Sequence, residues 1–172
     1  YYSFDELMNN IPDNTQSTVT IVGNNIVSGL ISAKSNIIPE NKNVIIVNNK
    51  SIDAFNRNGY FINNGILEIR NGSIYYDNSY NGNIIVNNNK MIIKNTDINN
   101  GKIINNGILE LDSITSSSDN LRVDSISKDS TLTTKNTCKI KYIENNKNIL
   151  IENGEVSGII YGNDDSKIEV KS

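Results

Sequence analysis

The stretch Asn63-Asn64-Gly65-Ile66-Leu67-Glu68-Ile69 returns almost unchanged as Asn105-Asn106-Gly107-Ile108-Leu109-Glu110-Leu111. Self-similarity of this kind is the signature of repeat architectures, in which each repeat buries its apolar face against the next. Weaker copies surround the pair: Thr18-Val19-Thr20-Ile21, Asn43-Val44-Ile45-Ile46-Val47, Asn87-Asn88-Asn89-Lys90-Met91-Ile92-Ile93 and Asn148-Ile149-Leu150-Ile151. They fall roughly 18–26 residues apart, a repeat-protein spacing. Overlaid, they give apolar pairs two residues apart: Val19/Ile21, Ile45/Val47, Leu67/Ile69, Met91/Ile93, Leu109/Leu111, Leu121/Val123 and Ile149/Ile151. Period-2 alternation means a strand with one buried face. After a turn comes one more apolar residue, expected inside: Ile26, Ile52, Ile74, Ile98, Ile114, Ile126 or Val156. Another short strand precedes each pair, as in Tyr60-Phe61-Ile62-Asn63. One repeat is therefore a coil with three faces.

Asn-Gly is also a strong hairpin signal, so an antiparallel meander is the rival arrangement. A meander has no reason to return the same residue to the same place every second or third strand. In a coil, equivalent positions stack ~4.8 Å apart, Ile on Ile and Asn on Asn. Stacked Asn amides then bond along the axis, as in cross-β ladders. Crossovers between parallel strands are right-handed with few exceptions. The expectation is an all-β, right-handed parallel β-helix of about seven coils, a rod on the order of 35 Å long. Its N-terminal edge needs a cover. Ser3-Phe4-Asp5-Glu6 is a capping box, and Phe4, Leu7, Met8 and Ile11 form a helical stripe before Pro12. Residues 1–13 are thus expected as a helical cap and 14–172 as coils of one domain. No matching cap is visible at the other end, so the segment is expected to belong to a larger protein or to pair with something there.

Asn and Ile each make up close to a fifth of the chain. Ile favours strands, and Asn favours turns and tolerates the left-handed region. There is no His, which removes Ser-His-Asp and Cys-His catalysis and the commonest zinc and haem ligand. A net charge of −3 leaves no basic footprint for nucleic acid. No run is long enough to span a membrane, so no membrane insertion of this segment is expected. The single cysteine, Cys138, shares a face with Ile140 and reads as a small core residue.

The opener Ser3-Phe4-Asp5-Glu6-Leu7, with Val19-Thr20-Ile21, Ile38-Pro39-Glu40-Asn41-Lys42-Asn43-Val44-Ile45-Ile46 and Tyr60 through Ile74, resembles the pectate-lyase-like β-helix of Gram-positive surface adhesins. The resemblance covers nearly the whole chain, through structural signatures that bear on the fold more than on any ligand. It implies a large secreted, wall-attached parent on the bacterial cell surface, with further domains downstream. No sorting signal stands in the sequence.

Chemistry on such a scaffold would have to come from Asp, Glu, Lys, Arg or Tyr. The three arginines are Arg57, Arg70 and Arg122. Alignment of the copies puts Arg70 level with Lys94 and Asp112, and Glu68 level with Ile92 and Glu110. The two glutamates then lie ~10 Å apart, beyond an inverting glycosidase pair. Asp112-Ser113-Ile114 and Asp124-Ser125-Ile126, beside Ser116-Ser117-Ser118-Asp119, form an acidic, hydroxyl-rich stretch without calcium-loop spacing, as does Asp164-Asp165. Tyr75, Tyr76 and Tyr80 cluster in one loop with Asn and Asp, and are the candidate ligand-binding residues. They either offer rigid amphipathic area to a glycan or protein or pack on the coil flank. The sequence thus points to a non-catalytic adhesive or stalk module with no catalytic residue, metal or cofactor. Its partners would be a host glycan or protein and further domains of the same chain. The competing reading is a carboxylate-based polysaccharide lyase or hydrolase.

Overall fold

A computed structural model describes residues 4–21, 36–48, 51–52, 61–75, 83–99, 101–117, 120–162 and 165–172. Helix α1 (Phe4–Asn10) leads into β1 (Gln16–Ile21), β2 (Asn36–Ile38), β3 (Asn43–Asn48), β4 (Ser51–Ile52), β5 (Phe61–Asn63) and β6 (Ile66–Arg70). Then come β7 (Ser73–Tyr75), β8 (Asn83–Asn87), β9 (Lys90–Asn99), β10 (Lys102–Asn105), β11 (Ile108–Thr115) and β12 (Arg122–Asp124). The chain ends with β13 (Thr131–Cys138), β14 (Tyr142–Glu144), β15 (Asn148–Val156), β16 (Ile159–Tyr161) and β17 (Lys167–Lys171). One sheet runs β1-β3-β6-β9-β11-β13-β15-β17, with β4 and β7 beside it. The other runs β2-β5-β8-β10-β12-β14-β16. Every described pairing is parallel, so the chain is a parallel β-solenoid and the meander is excluded.

The register shows why each letter of the repeated motif is there. Leu67 stacks on Met91, Met91 on Leu109, Leu109 on Leu132 and Leu132 on Ile149. Two residues along, Ile46, Ile69, Ile93 and Leu111 form a second inward column. Opposite them, the second sheet stacks Phe61, Ile85, Ile103, Val123 and Ile143. These residues have almost no exposed surface, and each contributes about 1.5–3 kcal/mol of hydrophobic burial. The first Asn of the motif points inward. Asn63 Nδ2 donates to Asn87 Oδ1 (2.9 Å) and Asn87 Nδ2 to Asn105 Oδ1 (3.0 Å). Asn105 Nδ2 donates onward to Asn146 Oδ1 (3.3 Å), all four amides fully buried. The second Asn points outward and forms an exposed ladder, Asn106 to Asn88 (3.0 Å) and Asn88 to Asn64 (2.9 Å). The Gly is required by close approach: a Cβ at Gly107 would sit 2.1 Å from the Asn89 carbonyl oxygen.

A second stack of special backbone marks another corner. Asn71, Asn95, Ser113, Asn136 and Asn153 all take positive φ, between 47° and 66°, at equivalent places in successive turns. Asn accepts this region more readily than most residues. The corner lets one long strand such as β9 fold round onto the third face.

The helix expected at the N-terminus covers the first turn. Phe4, Leu7, Met8 and Ile11 are buried, and Phe4 meets Phe61 edge-on at 5.7 Å. Buried Lys42 clasps the connection from within, donating to the Ile11 carbonyl and to Asp13 (2.6 Å). At the other end, Ile168 and Val170 of β17 continue the two inward columns but remain exposed.

Some expectations need correction. The inward pair in β3 is Val44/Ile46, not Ile45/Val47, and Val19 stacks on Ile46, so its pair is Ser17/Val19. Leu121/Val123 lies at the second sheet, because β12 pairs β10; the true copy is Leu132/Thr134. Ile126 is 81% exposed, while the Ser125 before it is buried. About five turns are complete, rather than seven.

Candidate functional site

Of the candidate ligand-binding residues, Tyr76 and Tyr80 lie outside the described residues. Tyr75 closes β7, paired with Asn99, and its side chain also lies outside them. The carboxylates fall where the alignment put them, Arg70 beside Lys94 and Lys94 beside Asp112, with Ile92 between Glu68 and Glu110. Their environments engage them. Glu68 takes Arg70 at 2.6 Å and Lys94 at 3.4 Å. The Arg70 hydrogen bond, helped by the charge of Lys94, holds its carboxyl below the usual range against the opposing effect of burial. Glu110 pairs with Lys135 at 3.2 Å. A carboxyl held down in this way, as that of Glu68 is, makes a poor base and a poorer acid near neutrality.

Asp112 and Asp124, alike in local sequence, are on different sheets, at β11 and β12. Asp112 accepts from Asn136 Nδ2 (2.6 Å), and Asp124 from Asn145 Nδ2 (3.1 Å) and the Ser125 N–H (2.8 Å). Asp97 accepts from Thr115 Oγ1 (3.1 Å), the Ser117 N–H (3.0 Å) and Asn99 Nδ2 (2.9 Å). Among the described residues no group of three acidic or sulfur ligands is placed to hold a metal. Cys138 is fully buried between Ile114 and Val156, and burial raises its thiol pKa above the ordinary value.

A second cluster was not singled out by reading the sequence. In the second sheet, Lys102 lies beside Arg122, and Arg122 beside Tyr142. Val123 and Ile143 point inward, so Arg122 and Tyr142 face out. The Arg122 guanidinium sits 4.7 Å from the centre of the Tyr142 ring, with Lys141 Nζ at 5.7 Å. From the following turn, Tyr161 stacks on Tyr142 at 6.4 Å with 21° between planes. Gly101, Lys102, Asn120 and Arg122 line an open notch of about 190 Å³ beside this stack. A guanidinium laid on an aromatic ring keeps its N–H donors free in the ring's plane while losing freedom to swing. The signal was a spacing: Lys102, Arg122 and Tyr142 follow one another at equal intervals of 122 − 102 = 20 and 142 − 122 = 20.

No helix among the described residues is long and apolar enough to cross a membrane. Comparison of the chain with protein-family models, with curated proteins and with solved structures found no match.

Proposed function

We propose that this chain is a non-catalytic module of a bacterial surface protein, of the pectate-lyase-like adhesin type, presenting its outer faces to a host or cell-surface ligand. One observation carries the reading. The apolar columns run along the rod with one polar member at Thr134, and buried amides link Asn63, Asn87, Asn105 and Asn146 along the same axis, while Glu68 and Glu110 are tied up in ion pairs. The sequence is committed to a stiff rod with exposed, variable outer faces, and adhesion or spacing asks for no more than that. An extracellular, wall-attached location follows from the same reading and from the resemblance in the opener.

The experiment has two arms on the same purified chain. Incubation with pectin, alginate and host glycans, with calcium added, should yield no new reducing ends and no unsaturated product. A glycan array and a pull-down from host-cell surface extract should retain at least one ligand. Turnover of any polysaccharide would replace this reading with a lyase or hydrolase. Absence of both turnover and retention would reduce it to a spacer.

A further inference from the structure

We propose that the notch between Lys102 and Arg122 binds the carboxylate of an acidic sugar. This deepens the reading of the chain as a ligand-presenting module and rests on it.

The cations there are set apart from most on the rod. Lys42, Arg70, Lys94, Lys135, Lys167 and Lys171 each pair with a carboxylate. Among the described residues, Lys90, Lys102, Arg122, Lys128, Lys141 and Lys147 form no ion pair, and of these Lys102, Arg122 and Lys141 converge on one outer face. Among the described residues, the acidic neighbours on that face are Asp124 and Glu144, two residues further along β12 and β14. Asp124 is held by Ser125 and Asn145, and neither forms an ion pair with the three cations. Positive charge is thus concentrated on this patch of a chain whose net charge is −3.

Arg122 is also preorganised. Tyr142 supports its guanidinium from the next turn, and Tyr161 supports Tyr142 from the turn after that. A planar fork fixed in this way matches a carboxylate bidentately, and Lys102 adds a point charge from the preceding turn. The Asn120 amide lines the same notch and offers both a donor and an acceptor to hydroxyl groups. Gly101, which has φ of 95°, contributes backbone and no side chain, leaving the floor open. At about 190 Å³ the notch falls below the ~300–1,000 Å³ of typical small-molecule pockets. That size suits one sugar unit, with the rest of a glycan running out over the sheet. A polar, open lining gives little to an apolar peptide anchor and suits a ring that carries one charge and several hydroxyls.

The test is titration calorimetry and amide-shift mapping on the whole chain with galacturonate, glucuronate, their methyl esters, galactose and acetate. Either uronate is expected to bind, shifting the resonances of residues 101, 102, 120 and 122. The esters and galactose should bind at least about tenfold more weakly, since a charge-assisted hydrogen bond is lost. Acetate, lacking hydroxyls, should also be weaker. Arg122→Ala should weaken uronate binding roughly 10- to 100-fold. Lys102→Met, which keeps most of the aliphatic length without the charge, should do so less, and urea melts of both variants check that the rod still folds. Equal binding of ester and acid, equal binding of acetate and uronate, or uronate binding indifferent to both substitutions overturns the proposal. If only neutral glycans or a protein are retained, the notch assignment falls and the adhesive reading stands. If uronate polymers are cleaved, both fall.

Discussion

Replacing Asn87 with Ala cuts the buried ladder at its centre. Asn87 Nδ2 donates to Asn105 Oδ1 (3.0 Å) and to the Ile108 carbonyl (2.9 Å), with a longer contact to the Asn89 carbonyl (3.3 Å). Asn87 Oδ1 accepts from Asn63 Nδ2 (2.9 Å). After truncation Asn63 keeps its bond to the Lys90 carbonyl (2.8 Å), and Asn105 Oδ1 keeps a weak one from the Gly107 N–H (3.3 Å). The Ile108 carbonyl loses its side-chain partner, and the gap opens beside the fully buried Asn63 and Asn105. Each stranded buried polar group costs about 1–3 kcal/mol, so Asn87→Ala should cost about 2–5 kcal/mol. The neighbouring Asn88 makes a similar pair of amide bonds on the outer face, where water replaces them. Asn88→Ala should change stability by no more than about 0.5 kcal/mol. Urea denaturation followed by circular dichroism reads both. In a double-mutant cycle with Asn105→Ala, the combined loss should fall short of the sum by at least about 0.5 kcal/mol. Equal costs at positions 87 and 88, or strict additivity of 87 with 105, would refute the claim that the inner ladder holds the turns together.

Thr134 stands in an apolar column between Leu111 and Ile151 with its buried hydroxyl unpaired, so Thr134→Val should raise stability by about 1 kcal/mol and move the urea midpoint up. Asn63 Oδ1 has no donor, and the residue stacked on Asn63 in the preceding turn is buried Ile38. Ile38→Asn should therefore extend the ladder and cost at least about 1 kcal/mol less than Ile85→Asn, where the new amide finds no column to join; equal losses in denaturation would argue against it. Glu68, held by Arg70 with help from Lys94, titrates below its ordinary 4.5. A carboxylate depressed in the folded state stabilises it above the unfolded pKa and loses that contribution as pH falls through the folded one. Glu68→Gln should flatten the acid limb of the stability profile below about pH 4.5, by no more than about 1 kcal/mol, and leave its slope near neutrality unchanged.

Much of the fold was legible because identical residues must stack on themselves in a coil. Leu67 and Leu109 repeat within a conspicuous motif, and the structure places them in one column with only Met91 between. The buried Asn ladder followed from the same logic. Register failed where alternation is missing: Val44-Ile45-Ile46-Val47 is apolar throughout, so either offset fits, and Ile45 is in fact buried as well. The copy at β13 was hidden because Thr134 puts a polar residue where an aliphatic one was sought. Ile126 misled in the opposite way, since Asp124-Ser125-Ile126 copies Asp112-Ser113-Ile114 in letters but comes from the other sheet. The Lys102–Arg122–Tyr142 patch escaped because its members sit in strands β10, β12 and β14, whose mutual register was not aligned. A site built across turns has no local motif; it becomes visible only once the turns are stacked.

Successive turns stack in parallel at one fixed rise. Residues Asn43, Ile66, Lys90, Ile108, Thr131, Asn148 and Lys167 form a single column at the start of the first-sheet strands. Paired spin labels in a Cys138→Ala background measure it directly by dipolar spectroscopy. Labels at 66 and 148 are four turns apart, at 66 and 167 five, and at 43 and 167 six, so distances near 19, 24 and 29 Å are expected, rising by about 4.8 Å per turn. Distances that fail to lengthen with the number of turns between the labels would contradict the solenoid.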